Sequence, residues 1–403
     1  MVPDFFPFPG VRYRPEAAQA RLEDLTAPPY DVIDAEARAR LEATHPMNAV
    51  HLILPRDHEP GDRYTQAAGR LEEWRRQGVL AADPATLYLY RMTFTDDSGQ
   101  ARVTTGVVGA LAVSPPGDGF VLPHERTMPK PRGDRLELLR ATRANLDPVW
   151  VLSMAPGLSE ILARADAPAA GSCIDSDGVE HCLIPLPPDL AGRVIEVVGS
   201  APAVIADGHH RYETALAYAQ EHPGADRILA LVVELAPDQL NVRPIHRILL
   251  GAGSDLRERL AGVATLTPAG PNTPEALRDL LALMDGAEAL GLVDSEGLAL
   301  VRLRLDALAA ELDRLPAPLR EVDSVRLEVA LALVGAPEEL EFHADPAVVA
   351  GKVAKGTADA GVFLRVSVAQ IQAVAAAGER MPEKTTYFSP KPLTGMVFRT
   401  LDE

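Results

Sequence analysis

The stretch Ala203-Val204-Ile205-Ala206-Asp207-Gly208-His209-His210-Arg211-Tyr212-Glu213-Thr214-Ala215-Leu216 decides how this chain is read. Ala203–Ala206 reads as a short buried strand, and Tyr212–Glu221 has the pattern of a helix. Gly208 stands at the junction, where it permits a tight turn and close approach of a ligand to the backbone. A helix starting there offers unpaired N–H groups and the positive end of its dipole, which together favour an anion. His209 and His210 add two protonatable rings, and Arg211 adds a bidentate guanidinium. Asp207 is placed either to cap the helix or to hold a metal that travels with a phosphate. Five functional residues on one strand-to-helix turn favour a ligand site over a solvated cap. Zinc fits poorly, because no His-x-x-x-His or Cys pair lies nearby.

A second cluster precedes this one. Val121-Leu122-Pro123-His124-Glu125-Arg126-Thr127 is followed by Gly133-Asp134-Arg135 and a helix expected over Arg132–Asn145. A Glu between His and Arg in a Pro-bounded loop suits a general base, its position and pKa set by its neighbours. A surface charge cluster reads the same way. Two outer segments could complete a site: Arg12 with Tyr30 and Asp31 near the start, and Lys384, Thr385, Thr386 and Lys391 near the end. Pro residues stiffen both, and Lys384 is the expected phosphate contact there.

The 403 residues carry 39 Lys+Arg against 57 Asp+Glu, a net charge of −18. Such a surface repels a long polyanion, so general DNA or RNA binding is excluded and any phosphate must meet a local basic cluster. His124, Arg126, Lys130, Arg132 and Arg135 gather in one loop region, and His209, His210 and Arg211 on one turn. With 47% hydrophobic residues the chain can bury a core. No signal peptide is evident at the N-terminus and no apolar run approaches about 18 residues, so a soluble cytoplasmic protein without a membrane partner is expected. Cys173 and Cys182 are too few for a disulfide framework; they read as small hydrophobes paired across a hairpin turning at Asp177-Gly178.

Elsewhere the chain alternates helices and strands. A helix is expected over Ala35–Ala43 after an Asp34 cap, and another over Tyr64–Gln77. Val50–Leu54 and Arg193–Val198 read as strands, as do Thr86–Thr95, Arg102–Val113, Val149–Met154 and Ile228–Leu235. Three regions are expected: 1–115, 116–240 and 241–403. Neither Gly351-Lys352-Val353, with Pro346 where a P-loop has its first Gly, nor Gly251-Ala252-Gly253 forms another nucleotide motif.

Residues 118–235 resemble the ParB/sulfiredoxin fold, and within it most closely the free serine kinases. In that likeness Glu125 matches the glutamate that activates the serine hydroxyl, and Asp207 to Arg211 match the phosphate-binding motif. The whole chain, through Pro28-Pro29-Tyr30-Asp31-Val32-Ile33 and Met381-Pro382-Glu383-Lys384-Thr385-Thr386, resembles the DUF1015 proteins. His209 stands where sulfiredoxin has its reactive Cys, which argues against sulfinic-acid reduction. The chain also lacks a basic recognition helix, which argues against partitioning.

The resemblance implies an α+β fold, with a ParB/sulfiredoxin-like mixed α/β core and α/β extensions at both ends. It implies a phosphotransferase using ATP or ADP with Mg²⁺, other donors remaining open. The acceptor would be a small hydroxyl metabolite, free L-serine foremost or O-phosphoserine in reverse. Glu125, His124 and Asp207 are the expected catalytic residues, and Gly208, His209, His210, Arg211 and Arg135 the expected phosphate ligands. Arg126, Arg12, Tyr30, Asp31 and Lys384 are further expected contacts. A ParB-like nucleotide switch acting on a protein partner and a non-catalytic phosphometabolite sensor remain alternatives.

Overall fold

Strand Ala101–Ala112 organises the first sheet. It pairs antiparallel with Tyr88–Thr95 on one side and with Arg227–Glu234 on the other. Its turn into Tyr88–Thr95 follows from Asp96, whose Oδ1 accepts from the N–H groups of Ser98 and Gln100, and from Gly99 at φ +81°. The computed structural model describes residues 4–57, 62–115, 120–126 and 133–401. They fall into two units, one within residues 1–123, 129–241 and 390–403, the other within 124–128 and 242–389.

In the first unit the sheet runs in the order Val121–Pro123, Ala203–Asp207, Val149–Ser153, Arg227–Glu234, Ala101–Ala112, Tyr88–Thr95, Glu180–Pro185 and Gly171–Ile174. Phe5–Phe6 also pairs with Ala101–Ala112. Strands from both sides of residue 115 therefore share one sheet. Ala203–Asp207 lies parallel to Val121–Pro123 and antiparallel to Val149–Ser153. Leu158, Ile161, Leu190 and Val194 from two helices pack on Val107, Val151, Ile205 and Val232. A second core gathers Tyr13, Leu25, Val50, Leu71, Trp74 and Phe398. The fold is α+β, as expected.

Two expected strands are helices. Val50–Ile53 forms a helical turn, because Asn48 directs it: its Oδ1 accepts from Val50 N–H while its amide donates to the carbonyls of Asp24 and Thr26. Val50, Leu52 and Ile53 are wholly buried, and a continuous apolar run does not distinguish helix from strand. Arg193–Val198 belongs to helix Pro188–Val198, which has Pro188 in its first turn and buries Leu190, Ala191, Val194 and Val198 on one face. The cysteines do not face each other either. Cys173 pairs with His181 and Cys182 with Ser172, so the pleat sends the two thiols to opposite faces.

Residues 390–401 return to the first unit. Ala27 bridges Thr394, Val11 bridges Phe398, and Arg399–Thr400 pairs with Ala144–Asn145.

The second unit is built on an antiparallel sheet in the order Ala264–Gly270, Gly297–Leu303, Leu290–Asp294, Ala360–Phe363, His246–Leu250 and Glu339–His343. Leu280 and Met284 of helix Pro274–Ala287 pack with Val349 of helix Pro346–Ala354 over Ile248, Val293 and Phe363. Residues 124–126 join this unit through a bridge between Glu125 and Met381.

Candidate functional site

The quoted stretch forms strand Ala203–Asp207 and helix His209–Glu221, joined by Gly208 at φ +87° and ψ +29°. That left-handed backbone suits glycine, and a Cβ there would lie 2.9 Å from Arg211 Nε. The strand is buried from Ala203 to Ala206 and is irregular between Ile205 and Asp207, which brings the carboxylate onto the turn. No side chain caps the helix, so Asp207 does not cap it.

Asp207 instead holds two cations. Its Oδ2 accepts from Arg211 at 2.7 Å and its Oδ1 from Lys391 Nζ at 2.6 Å. Burial acts to raise the Asp207 carboxyl, but Lys391 and Arg211, helped by His209, outweigh it and hold the carboxyl well below its usual range. Burial likewise opposes the charge on Arg211, but Asp207, Asp31, Asp147 and Tyr30 outweigh it and raise its pKa. Each oxygen of Asp207 thus faces a cation. Arg211 is only 9% exposed; it also donates to the Pro148 carbonyl, while its Nε is buried without a hydrogen-bond partner. His210 Nε2 is also buried and without one. Such donors are unfavourable unless a ligand or water satisfies them. Thr214, one turn on, donates to the His210 carbonyl at 2.7 Å.

Beside this turn lies a cavity of about 60 Å³ lined by Tyr30, Arg135, Asp147, Arg211 and Thr214 among apolar neighbours. Arg135 stacks over the Tyr30 ring at 4.4 Å and pairs with Asp134 at 2.6 Å. Asp31 is exposed and acts electrostatically on both Tyr30 and Arg211. Tyr30, Asp31 and Arg135 are therefore gathered around Arg211.

Arg12 has other partners. It donates to Asp83 at 2.6 and 3.1 Å and to the Ala170 carbonyl at 2.5 Å, and Arg14 and Tyr88 join it on Asp83. Lys384 belongs to the second unit, where it is exposed at φ +54° and its carbonyl accepts from Arg247. Thr127, Lys130 and Arg132 lie outside the described residues.

Glu125, His124 and Arg126 form a separate cluster in the second unit. Thr386 donates to Glu125 Oε1 from its N–H at 2.7 Å and from its hydroxyl at 2.5 Å. His124 Nε2 lies 2.7 Å from the Thr386 hydroxyl and 3.1 Å from Glu125 Oε1. With the hydroxyl proton given to the carboxylate, His124 carries hydrogen on Nε2 and donates. The imidazole is 2% exposed and meets Phe388 edge-on. Arg126 pairs with Glu328 at 3.2 Å.

Three residues at the first-unit site escaped the sequence assignment: Lys391 as a contact of Asp207, Asp147, and Thr394, whose hydroxyl donates to Asp147. Lys391 sits between Pro390 and Pro392 and Asp147 directly precedes Pro148, so local rigidity was the available signal.

Several solved structures are similar to this chain. A conserved hypothetical protein from Pyrococcus furiosus is 15% identical over 68% of this chain and 88% of its own, with a TM-score of 0.35. Free serine kinase in complex with AMP is 16% identical over 66% of this chain and 83% of its own, with a TM-score of 0.35. SbnI with C-terminal truncation, from Staphylococcus aureus, is 15% identical over 73% of this chain and 87% of its own, with a TM-score of 0.40. No curated protein matches the sequence. The family described as "Protein of unknown function (DUF1015)" matches residues 5–319, and the chain belongs to that family.

Proposed function

We propose that the chain is a nucleotide-dependent phosphotransferase acting on a small hydroxyl metabolite. The observation that carries this reading is the Asp207–Arg211 turn. An uncapped helix start, a left-handed glycine, a buried guanidinium with an unsatisfied Nε and a second cation from Lys391 converge there. Asp207 positions the two cations, which leaves the group with one net positive charge for phosphate oxygens. ATP or ADP is the proposed donor. Free L-serine is the proposed acceptor, on the strength of the resemblance to the serine kinases.

Glu125 is the proposed general base. Two hydrogen bonds from Thr386 fix its Oε1, as positioned proton transfer requires. In the proposed reaction the acceptor hydroxyl gives up its proton to a base as its oxygen bonds to the terminal phosphorus. The bond from that phosphorus to the bridging oxygen breaks, and the shortened nucleotide leaves with the electron pair.

The test is a product assay with ATP, ADP, CTP or pyrophosphate as donor and a panel of hydroxyl acceptors, serine first. Acceptor-dependent phosphate ester formation is expected. Glu125→Gln should lower turnover about 10²- to 10⁴-fold while nucleotide affinity stays within a few-fold. Nucleotide hydrolysis indifferent to every acceptor would overturn the transferase and favour a switch. Normal turnover of Glu125→Gln would remove the base.

A further inference from the structure

The cavity beside the phosphate turn has a charge pattern of its own. Each cation in its wall has an ion-pair partner: Arg135 pairs with Asp134 at 2.6 Å, and Arg211 shares Asp207, at 2.7 Å, with Lys391. Asp147 is the exception. It is 8% exposed and makes no ion pair among the described residues. Its one hydrogen bond there is the Thr394 hydroxyl on Oδ1. A buried carboxylate without a direct ion pair is costly, and burial raises the pKa of this one although Arg211, the Thr394 hydroxyl and Arg135 act to lower it. The rest of the wall is mostly apolar, from Leu138, Leu139, Ala144, Leu146 and Ile228. At about 60 Å³ the space holds roughly four to six waters, the size of a short substituted amine and well short of a nucleobase.

We propose that this cavity is a binding subsite for a primary ammonium group on a short carbon stem, with Asp147 as its counter-ion. Tyr30 and the apolar wall enclose the stem, and Thr394 orients the carboxylate so that Oδ2 meets the ammonium. The subsite shares Arg211 with the phosphate turn. It therefore deepens the transferase reading and rests on it for its role: the acceptor would be an amino alcohol or a hydroxy amino acid, selected by its nitrogen.

The test is calorimetric binding to the full chain of ethanolamine and L-serine, against ethylene glycol and glycerate, which lack the nitrogen. The two amines should bind and the two controls should not. Ammonium chloride and potassium chloride at equal concentration should have no effect. Asp147→Asn should weaken amine binding at least tenfold. Should that variant fail to fold, Leu139→Phe, which fills the cavity with apolar atoms, should give the same loss with a cooperative melt retained. Glycerate binding as well as serine would overturn the proposal, as would amine binding unchanged in both variants or reproduced by ammonium chloride. Binding is read beside the product assay for transfer, so the two readings fail separately. Asp147-dependent amine binding without transfer would sink only the transferase; serine phosphorylation with unaltered binding in Asp147→Asn would sink only the subsite.

Discussion

Lys391 places its Nζ 2.6 Å from Oδ1 of Asp207, whose Oδ2 holds Arg211 at 2.7 Å. A segment 184 residues further along the chain thus supplies half of the charge that balances the strand-end carboxylate. The pairing is nearly dry, with Lys391 11% and Asp207 16% exposed, so solvent screens it weakly.

Lys391→Ala should weaken nucleotide binding about 10- to 100-fold, the loss expected for one charge-assisted contact. Lys384→Ala, at an exposed position in the second unit, should leave affinity within a few-fold. Titration calorimetry with ATP and ADP separates the two lysines. The reverse ranking would return the phosphate contact to Lys384.

Gly208→Ala should act twice. The left-handed backbone costs an L-residue about 1–2 kcal/mol, and the new Cβ meets the Arg211 guanidinium at 2.9–3.0 Å. Gly157 has φ +92° but nothing near its absent Cβ, so Gly157→Ala carries the strain alone. Both variants should lose thermal stability, and only Gly208→Ala should lose nucleotide affinity. Equal affinities would mean that the guanidinium position at Gly208 does not matter.

Thr386→Val should reduce kcat more than it alters KM, because it deletes the hydroxyl that holds Glu125 and accepts the hydrogen bond from His124. Thr386→Ser keeps that hydroxyl and should recover most of the rate. A serine variant as slow as the valine variant would make the residue's contribution one of packing.

Arg12 predicts a stability effect rather than a catalytic one. Burial would raise the Asp83 carboxyl, but hydrogen bonds from Arg12, Arg14 and Tyr88 outweigh it and hold the pKa at about 2. A carboxyl depressed on folding stabilises the protein fully above its unfolded pKa, and that contribution fades as pH falls through the folded value. The expected size is on the order of 2 kcal/mol. Denaturation of wild type and Asp83→Asn should show a constant gap between pH 7 and about 5, closing from about 4 towards 2. A gap independent of pH would mean that charge on Asp83 contributes nothing.

The sequence announced the Asp207–Arg211 turn because strand, glycine and helix start are contiguous, so local pattern alone specified it. Tyr30 and Arg135 were also legible, from Pro-stiffened and helix-start contexts. Lys391 and Asp147 were not assigned, because their roles depend on pairings across the chain: Thr394 with Ala27, and Arg399 with Asn145. The order Lys384 over Lys391 turned on side-chain surroundings that composition does not carry. The strand readings at Val50–Leu54 and Arg193–Val198 failed for a related reason. An unbroken apolar run fits both periods, and a remote Asn48 bond or a preceding Pro188 decides between them.

The return of residues 390–401 bears on when the molecule becomes competent during synthesis. At roughly 5–20 residues per second, the ribosome spends about seven to thirty seconds on residues 242–389 before Lys391 is made. Until then Ala144–Asn145 lacks its partner strand, Asp147 lacks Thr394, and Asp207 lacks Lys391. A nascent chain that has finished the glycine turn therefore still lacks three of the partners that surround it in the complete first unit. The proposed nucleotide site is thus completed only once residues 391–394 are made, and chains stopped before them are expected to bind nucleotide poorly.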